Sequence, residues 1–131
     1  MDYAAGMKET FSKTISESDI YMFAGITGDM NPVHINKEAG NSFGGERIAH
    51  GILVAGFISC VIGMKLPGPG TIYLEQNCKF TKPVKIGDTV TAIVEVLEIL
   101  NEEKKIIKLR TDVVNQDNDL VITGWAVVKA P

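Results

Sequence analysis

The stretch from Glu46 to Leu66, ERIAHGILVAGFISCVIGMKL, limits the fold more than any other part of the chain. Between Ile48 and Met64 its only polar side chains are His50, Ser59 and Cys60, and apolar residues face every direction around a helical wheel. A helix that is apolar all round is a buried helix. Lys65 and the run Pro67-Gly68-Pro69-Gly70 end it, because proline lacks a donor and clashes with the preceding turn. From His50 to Lys65 it would span about 24 Å at 1.5 Å per residue. Gly51, Gly56 and Gly63 mark places where a backbone or ligand could approach closely. The run also reaches the lower length limit for crossing a bilayer. It is a single segment broken by three glycines and followed by alternating strand, so we read it as the core helix of a globular protein outside the membrane.

A chain of 131 residues builds one domain, residues 1–131, with a real core and has no room for a second. A net charge of −3, with no basic run interleaved with aromatics, argues against a nucleic-acid surface. The two cysteines, Cys60 and Cys78, sit in apolar or strand-like settings and imply no disulfide scaffold. The beginning, MDYAAGMKETFSK, has neither the basic leader nor the apolar core of a signal peptide, so a cytoplasmic location is expected.

Glu9 to Ile15 reads as a first strand with Phe11, Lys13 and Ile15 on one side. Ser16 and Asp19 have the spacing of a capping box. Ile20, Phe23, Ala24 and Thr27 follow at helical intervals, and Gly28 stands where a left-handed C-terminal residue is wanted, which predicts a helix over Glu17 to Thr27. Pro32 then forces Asn31 out of the helical region, so Asp29 to His34 is irregular backbone at a helix end. Lys37 to Ser42 reads as a turn or two of helix before Gly44-Gly45. Beyond Gly70 the period changes to two. In Thr71 to Thr81, Ile72, Leu74, Cys78 and Phe80 share a face, and Thr89–Leu100, Ile106–Val114 and Leu120–Lys129 are further strands. Four successive strands with short turns predict an antiparallel meander with the long helix covering one face. Its unpaired edges invite a second copy, so a homodimer is expected.

Asp29 and His34 are an acid and an imidazole on a stiffened turn directly before the core helix. Such a pair suits acid–base work on water, one group removing a proton while the other orients the molecule or returns a proton. The plainer reading, with Asp29 capping a turn and His34 bonding a buried backbone group, stays open here. At the first turn of the long helix the free N–H groups, beside Gly51 with no side chain, can donate to a developing negative charge. We read His50 as a helix-start residue rather than a catalytic one. Ser59 could bond its own backbone four residues back or reach a carboxylate. No charged neighbour would activate Cys60. Asp29, His34 and His50 lack the spacing and the fourth ligand of a persuasive metal site. Arg47, Lys65, Lys82 and Lys85 lie in loops near the helix ends, and solvated surface charge accounts for each of them.

The run Phe23-Ala-Gly-Ile-Thr-Gly-Asp-Met-Asn-Pro-Val-His34, followed by Phe43-Gly-Gly-Glu-Arg-Ile-Ala-His-Gly-Ile-Leu53, resembles the signature of the MaoC-like, hydratase 2 family of (R)-specific enoyl-CoA hydratases. The similarity continues through Leu66-Pro-Gly-Pro-Gly-Thr-Ile-Tyr73, Phe80 and Gly87-Asp88-Thr-Val-Thr91, covering nearly the whole chain. The resemblance implies an α+β hotdog fold, a curved antiparallel sheet wrapped around a long central helix, with residues 16–49 as an overhang before that helix. It implies that Asp29 and His34 hold and activate water, that Gly51 is the backbone donor to the thioester oxygen, and that Asn31 and Ser59 support them. It implies an acyl-CoA substrate without metal or other cofactor, a dimer joined sheet to sheet, and a coenzyme A tunnel at the subunit boundary. The leading reading is reversible hydration of trans-2-enoyl-CoA to (R)-3-hydroxyacyl-CoA. The competing ones are a hotdog acyl-CoA thioesterase and a non-catalytic acyl-thioester binding module.

Overall fold

Strand β1 (Lys8–Thr14) opens the fold, and Ser16 then caps helix α1 (Glu17–Thr27). The computed structural model describes residues 2–38 and 46–131. The Ser16 hydroxyl accepts from the Asp19 N–H at 3.1 Å while the Asp19 carboxylate accepts from the Ser16 N–H at 2.9 Å, which is the expected capping box. Gly28 closes α1 at φ 81°, a left-handed conformation that favours glycine. Asn31 has ψ 126°, outside the helical region as Pro32 requires, and α2 (Pro32–Ile35) is a single turn. The turn of helix expected over Lys37 to Ser42 and the Gly44-Gly45 lead-in lie largely outside the described residues.

Helix α3 spans Gly51–Met64, and four strands follow it: β2 (Ile72–Phe80), β3 (Thr89–Asn101), β4 (Ile106–Val114) and β5 (Leu120–Lys129). They form one antiparallel sheet with β1, in the order β1-β3-β4-β5-β2. The core lies between the inward residues Val90, Ala92, Val94, Ile107, Leu109 and Ala126 and the stripe Val54, Ile58, Val61 and Ile62 of α3. One curved sheet around one central helix is the architecture the resemblance implied. Among the described residues no helix is long and apolar enough to cross a membrane.

Four expectations are corrected. The four-strand meander is only a three-strand one, because β2 pairs with β5 instead of β3. Residues 81–88 form a connection longer than a tight hairpin turn, so nothing local forces neighbouring strands to pair. That connection is held to other parts of the chain: Ala49 N–H donates to the Val84 carbonyl at 2.7 Å, and Gly87 N–H to the Ile15 carbonyl at 2.8 Å. Second, α3 starts at Gly51, since Ile48 forms a bridge with Lys85 and the chain before His50 is extended. Third, α3 is not buried all round. Ile52 is 63% exposed and Met64 68%, with Gly56 and Ser59 also open, because one sheet has one face to offer. Of its three glycines only Gly51 is closely approached; nothing among the described residues comes within 4 Å of a Cβ built at Gly56 or Gly63. Fourth, the period-two face of β2 is not a buried one: a bulge interrupts it between Tyr73 and Glu75, and on this edge strand Ile72, Leu74 and Phe80 are exposed and Cys78 is half-buried.

Candidate active site

The bend after α1 is built by short side chains bonding to nearby backbone. Asp29 N–H donates to the Thr27 hydroxyl, Asn31 N–H to Asp29 Oδ1, and Val33 N–H to Asn31 Oδ1, each at 3.2 Å. Asn31 therefore supports the bend as the cap of α2. The bend is then fastened to the chain before α3. Ile48 N–H donates to the Val33 carbonyl at 3.2 Å, and the His34 ring meets the Ile48 carbonyl through Nδ1 at 2.8 Å. A carbonyl only accepts, so Nδ1 is the donor here, and Nε2 is the ring atom left to accept a proton.

His50 lies beside this pair. It is 2% exposed, its ring stacks on His34 with centroids 3.9 Å apart and planes at 29°, and Phe23 leans on it at 4.8 Å. Its Nε2 donates to the main-chain carbonyl of Asp29 at 3.0 Å, and its Nδ1 is buried with no hydrogen-bond partner among the described residues. Ligating atoms of Asp29, His34 and His50 all lie within 4.8 Å of one another. Asp29 is exposed, while His34 is buried. Stacked rings project their in-plane lone pairs side by side, whereas a tetrahedral metal needs them to converge on one point. One nitrogen of each ring is also occupied by a carbonyl. The trio suits proton handling better than metal binding.

A cavity of about 490 Å³ runs from His34 past Gly51 and Ile52 to Phe80, Pro83 and Val121, so its wall is mostly apolar with the imidazole at one end. Gly51 is the first residue of α3, where N–H groups have no partner inside the helix. A Cβ there would stand 2.8 Å from the Phe80 ring, so this close approach requires glycine. The structure thus brings Asp29, Asn31, His34 and Gly51 into one neighbourhood. Ser59 stands apart from it: exposed on the third turn of α3, its hydroxyl makes no hydrogen bond among the described residues, either to the helix backbone or to Asp29.

The four basic residues near the helix ends are engaged within the chain. Arg47 is 6% exposed, against its reading as solvated surface charge. Its guanidinium bonds the Tyr21 hydroxyl, lies 5.6 Å from the centre of that ring, and is 3.4 Å from Glu17. The Tyr21 hydroxyl donating to Glu17, and then the Arg47 charge, hold the Glu17 carboxyl below its ordinary range. Lys65 donates to the Thr10 carbonyl at 2.6 Å, Lys82 pairs with Asp119 at 2.6 Å, and Lys85 faces Glu46 at 3.7 Å. Sequence reasoning passed over the buried placement of Arg47 and His50. The signal for His50 was a polar ring between alanine and glycine at the head of an apolar helix, where burial is unavoidable.

Comparison with known proteins shows the family and the fold. The family model described as "MaoC like domain" matches residues 3–118. An (R)-specific enoyl-CoA hydratase of Rhodospirillum rubrum is 50% identical over 131 residues, covering 99% of this chain and 90% of that one. A 3-hydroxybutyryl-CoA dehydratase of Methylorubrum extorquens is 44% identical, covering 99% and 82%. The solved (R)-hydratase of Aeromonas caviae, described as involved in PHA biosynthesis, superposes with a TM-score of 0.93 at 40% identity, covering 99% and 98%. A family match across almost the entire fold, joined to near end-to-end relatives of half identity, makes this chain a member of the MaoC-like family.

Proposed function

We propose that this protein adds water reversibly across the double bond of a trans-2-enoyl-CoA, giving the (R)-3-hydroxyacyl-CoA, with Asp29 and His34 as the catalytic pair. The observation that carries this reading is their convergence, with ligating atoms within 4.8 Å, where His34 opens onto an apolar cavity that also reaches Gly51. The names of the R. rubrum and M. extorquens relatives support it.

Hydration of a conjugated thioester needs a proton acceptor for the water that attacks C3, a proton for C2, and stabilisation of the enolate oxygen that forms between the two steps. The His34 Nε2 lone pair and the Asp29 carboxylate are the groups on which one water can be held. As the water oxygen bonds to C3, the pair takes one of its protons, the double-bond electrons move toward the thioester oxygen, and that oxygen is met by the Gly51 N–H. A proton then passes from the pair to C2 as the carbonyl re-forms. Because the water and the proton come from one side, both elements add to the same face of the substrate. Asn31 holds the bend that carries the two reacting groups, and we assign no step to Ser59. Each step uses protein groups alone, so activity is expected to survive exhaustive chelation. The exposed face of α3 and the apolar edge β2 support a homodimer in which a second copy covers both.

The test is direct. Purified protein is mixed with crotonyl-CoA and the loss of enoyl absorbance followed, with the configuration of the product determined. Same-face addition giving the (R)-alcohol is expected. Release of free thiol in place of hydration would identify a thioesterase, and neither change would leave a binding module.

A further inference from the structure

His50 touches both halves of the catalytic pair and is so far without a role. Its Nε2–H holds the main-chain carbonyl of Asp29, its ring lies flat on His34, and Phe23 fixes it from another side. A residue needed only to begin α3 would serve that end as a cap, yet the side chain of His50 makes no capping hydrogen bond. A residue needed only to fill space would be apolar, since an imidazole here leaves Nδ1 buried and without a partner among the described residues, an arrangement that costs stability. What the imidazole supplies, and an apolar ring of like size would not, is the donor to Asp29.

We propose that His50 is a positioning residue for the hydration described above: it locks the Asp29 backbone against the ring plane of His34, so that carboxylate and Nε2 bracket a single water. The proposal rests on that reading of the function. The far end of the bend is tied to Ile48 through the Val33 carbonyl and the His34 ring, but at Asp29 the other bonds among the described residues are local ones of 3.2 Å, and His50 is the side chain that couples this end to the buried start of α3. Partners that orient reacting groups in this way are worth about 10–100-fold in activity, and a small misplacement of the reacting atoms costs about as much.

The experiment compares His50→Phe, which keeps the stacked ring and loses the donor, with His50→Gln, whose amide can reach the same carbonyl. Thermal midpoint, kcat and KM for crotonyl-CoA are measured for both and for the unmutated protein. His50→Phe is expected to melt no lower than the unmutated protein, to lose about 10–100-fold in kcat, and to keep KM within about three-fold. His50→Gln is expected to recover most of kcat. Unchanged kcat in folded His50→Phe overturns the proposal, and so does a folded His50→Gln that is as slow as the phenylalanine variant. Should His50→Phe fail to fold, His50→Met serves as the donor-free comparison under the same criteria. If the unmutated protein itself does not hydrate the substrate, the reading of function falls; if it and the donor-free variant work equally well, only the role of His50 does.

Discussion

The bend between α1 and α2 and the edge strand β2 are both exposed, yet they are built on opposite principles. The bend is polar, and the side-chain oxygens of Thr27, Asp29 and Asn31 each accept from a backbone N–H two residues on. Strand β2 has β5, far along the sequence, as its backbone partner among the described residues, and turns Ile72, Leu74 and Phe80 outward. The opposite edge of the sheet differs again. There β1 pairs its hydroxyls with those of β3 (Ser12 with Thr91, Thr14 with Thr89, each at 2.7 Å), and Lys65 occupies the Thr10 carbonyl. A polar edge is finished as it stands, whereas an apolar one is an interface awaiting its cover. The bend is thus shaped largely by its own residues, while the apolar edge beside it is the surface that the proposed homodimer would cover.

If the bend holds chemistry and not stability, Asp29→Asn and His34→Ala should each lower kcat on crotonyl-CoA by about 10²–10⁴-fold, with the circular-dichroism spectrum and thermal midpoint close to the unmutated values. Equal losses of activity and melting temperature would erase the distinction between the two regions. If β2 is the unfinished edge, Leu74→Lys should weaken self-association by about 10–100-fold, read as a lower sedimentation mass at micromolar protein. An unchanged mass would move the interface elsewhere. Gly51→Ala sits between the regions, because its new methyl group would push the Phe80 ring of β2 away from the start of α3. A fall of about ten-fold in kcat/KM is expected, with little effect on stability, since Phe80 is half exposed and free to swing.

The smallest effects test the local frame. Ser16→Ala removes half of the capping box and should cost about 1 kcal/mol in chemical denaturation, with kcat unchanged. Asp19 gives the pH counterpart. The Ser16 N–H first, and then Lys13, hold its carboxyl below the ordinary value of 3.8 in the folded protein. A depressed folded value means that the stabilisation is fully present above about pH 4 and fades as the pH falls through the folded value. The stability gap between the unmutated protein and Asp19→Asn should therefore be open at pH 7 and closed near pH 2. A gap that persists in acid would trace the loss to packing.

Much of this was legible in the residues because short-range rules governed it. Helix α1 begins and ends where Ser16, Asp19 and Gly28 indicated, since capping depends on neighbours only. The strand positions follow the period of two. The partner of β2 was not legible: pairing with β3 or β5 buries similar residues, and the long connection favours neither. The exposed face of α3 escaped for a related reason, in that an apolar helix announces that it will be covered without saying by what. His50 stands at the start of α3 as read, but its stacking on His34 was not legible, because which ring it meets depends on how the bend packs against that helix.

The residues alone were enough for the family, through the resemblance of their motifs, and for the ends of α1, the irregular bend at Asp29 to His34 and the strand positions, because capping, proline geometry and apolar period act within a few residues of the chain. Only the tertiary structure decided that β2 crosses to the far edge, that Arg47 is buried against Tyr21 and Glu17, and that His50 ties Asp29 to the ring of His34. Those are choices among distant partners, and they are settled by which surfaces meet when the sheet closes over its helix.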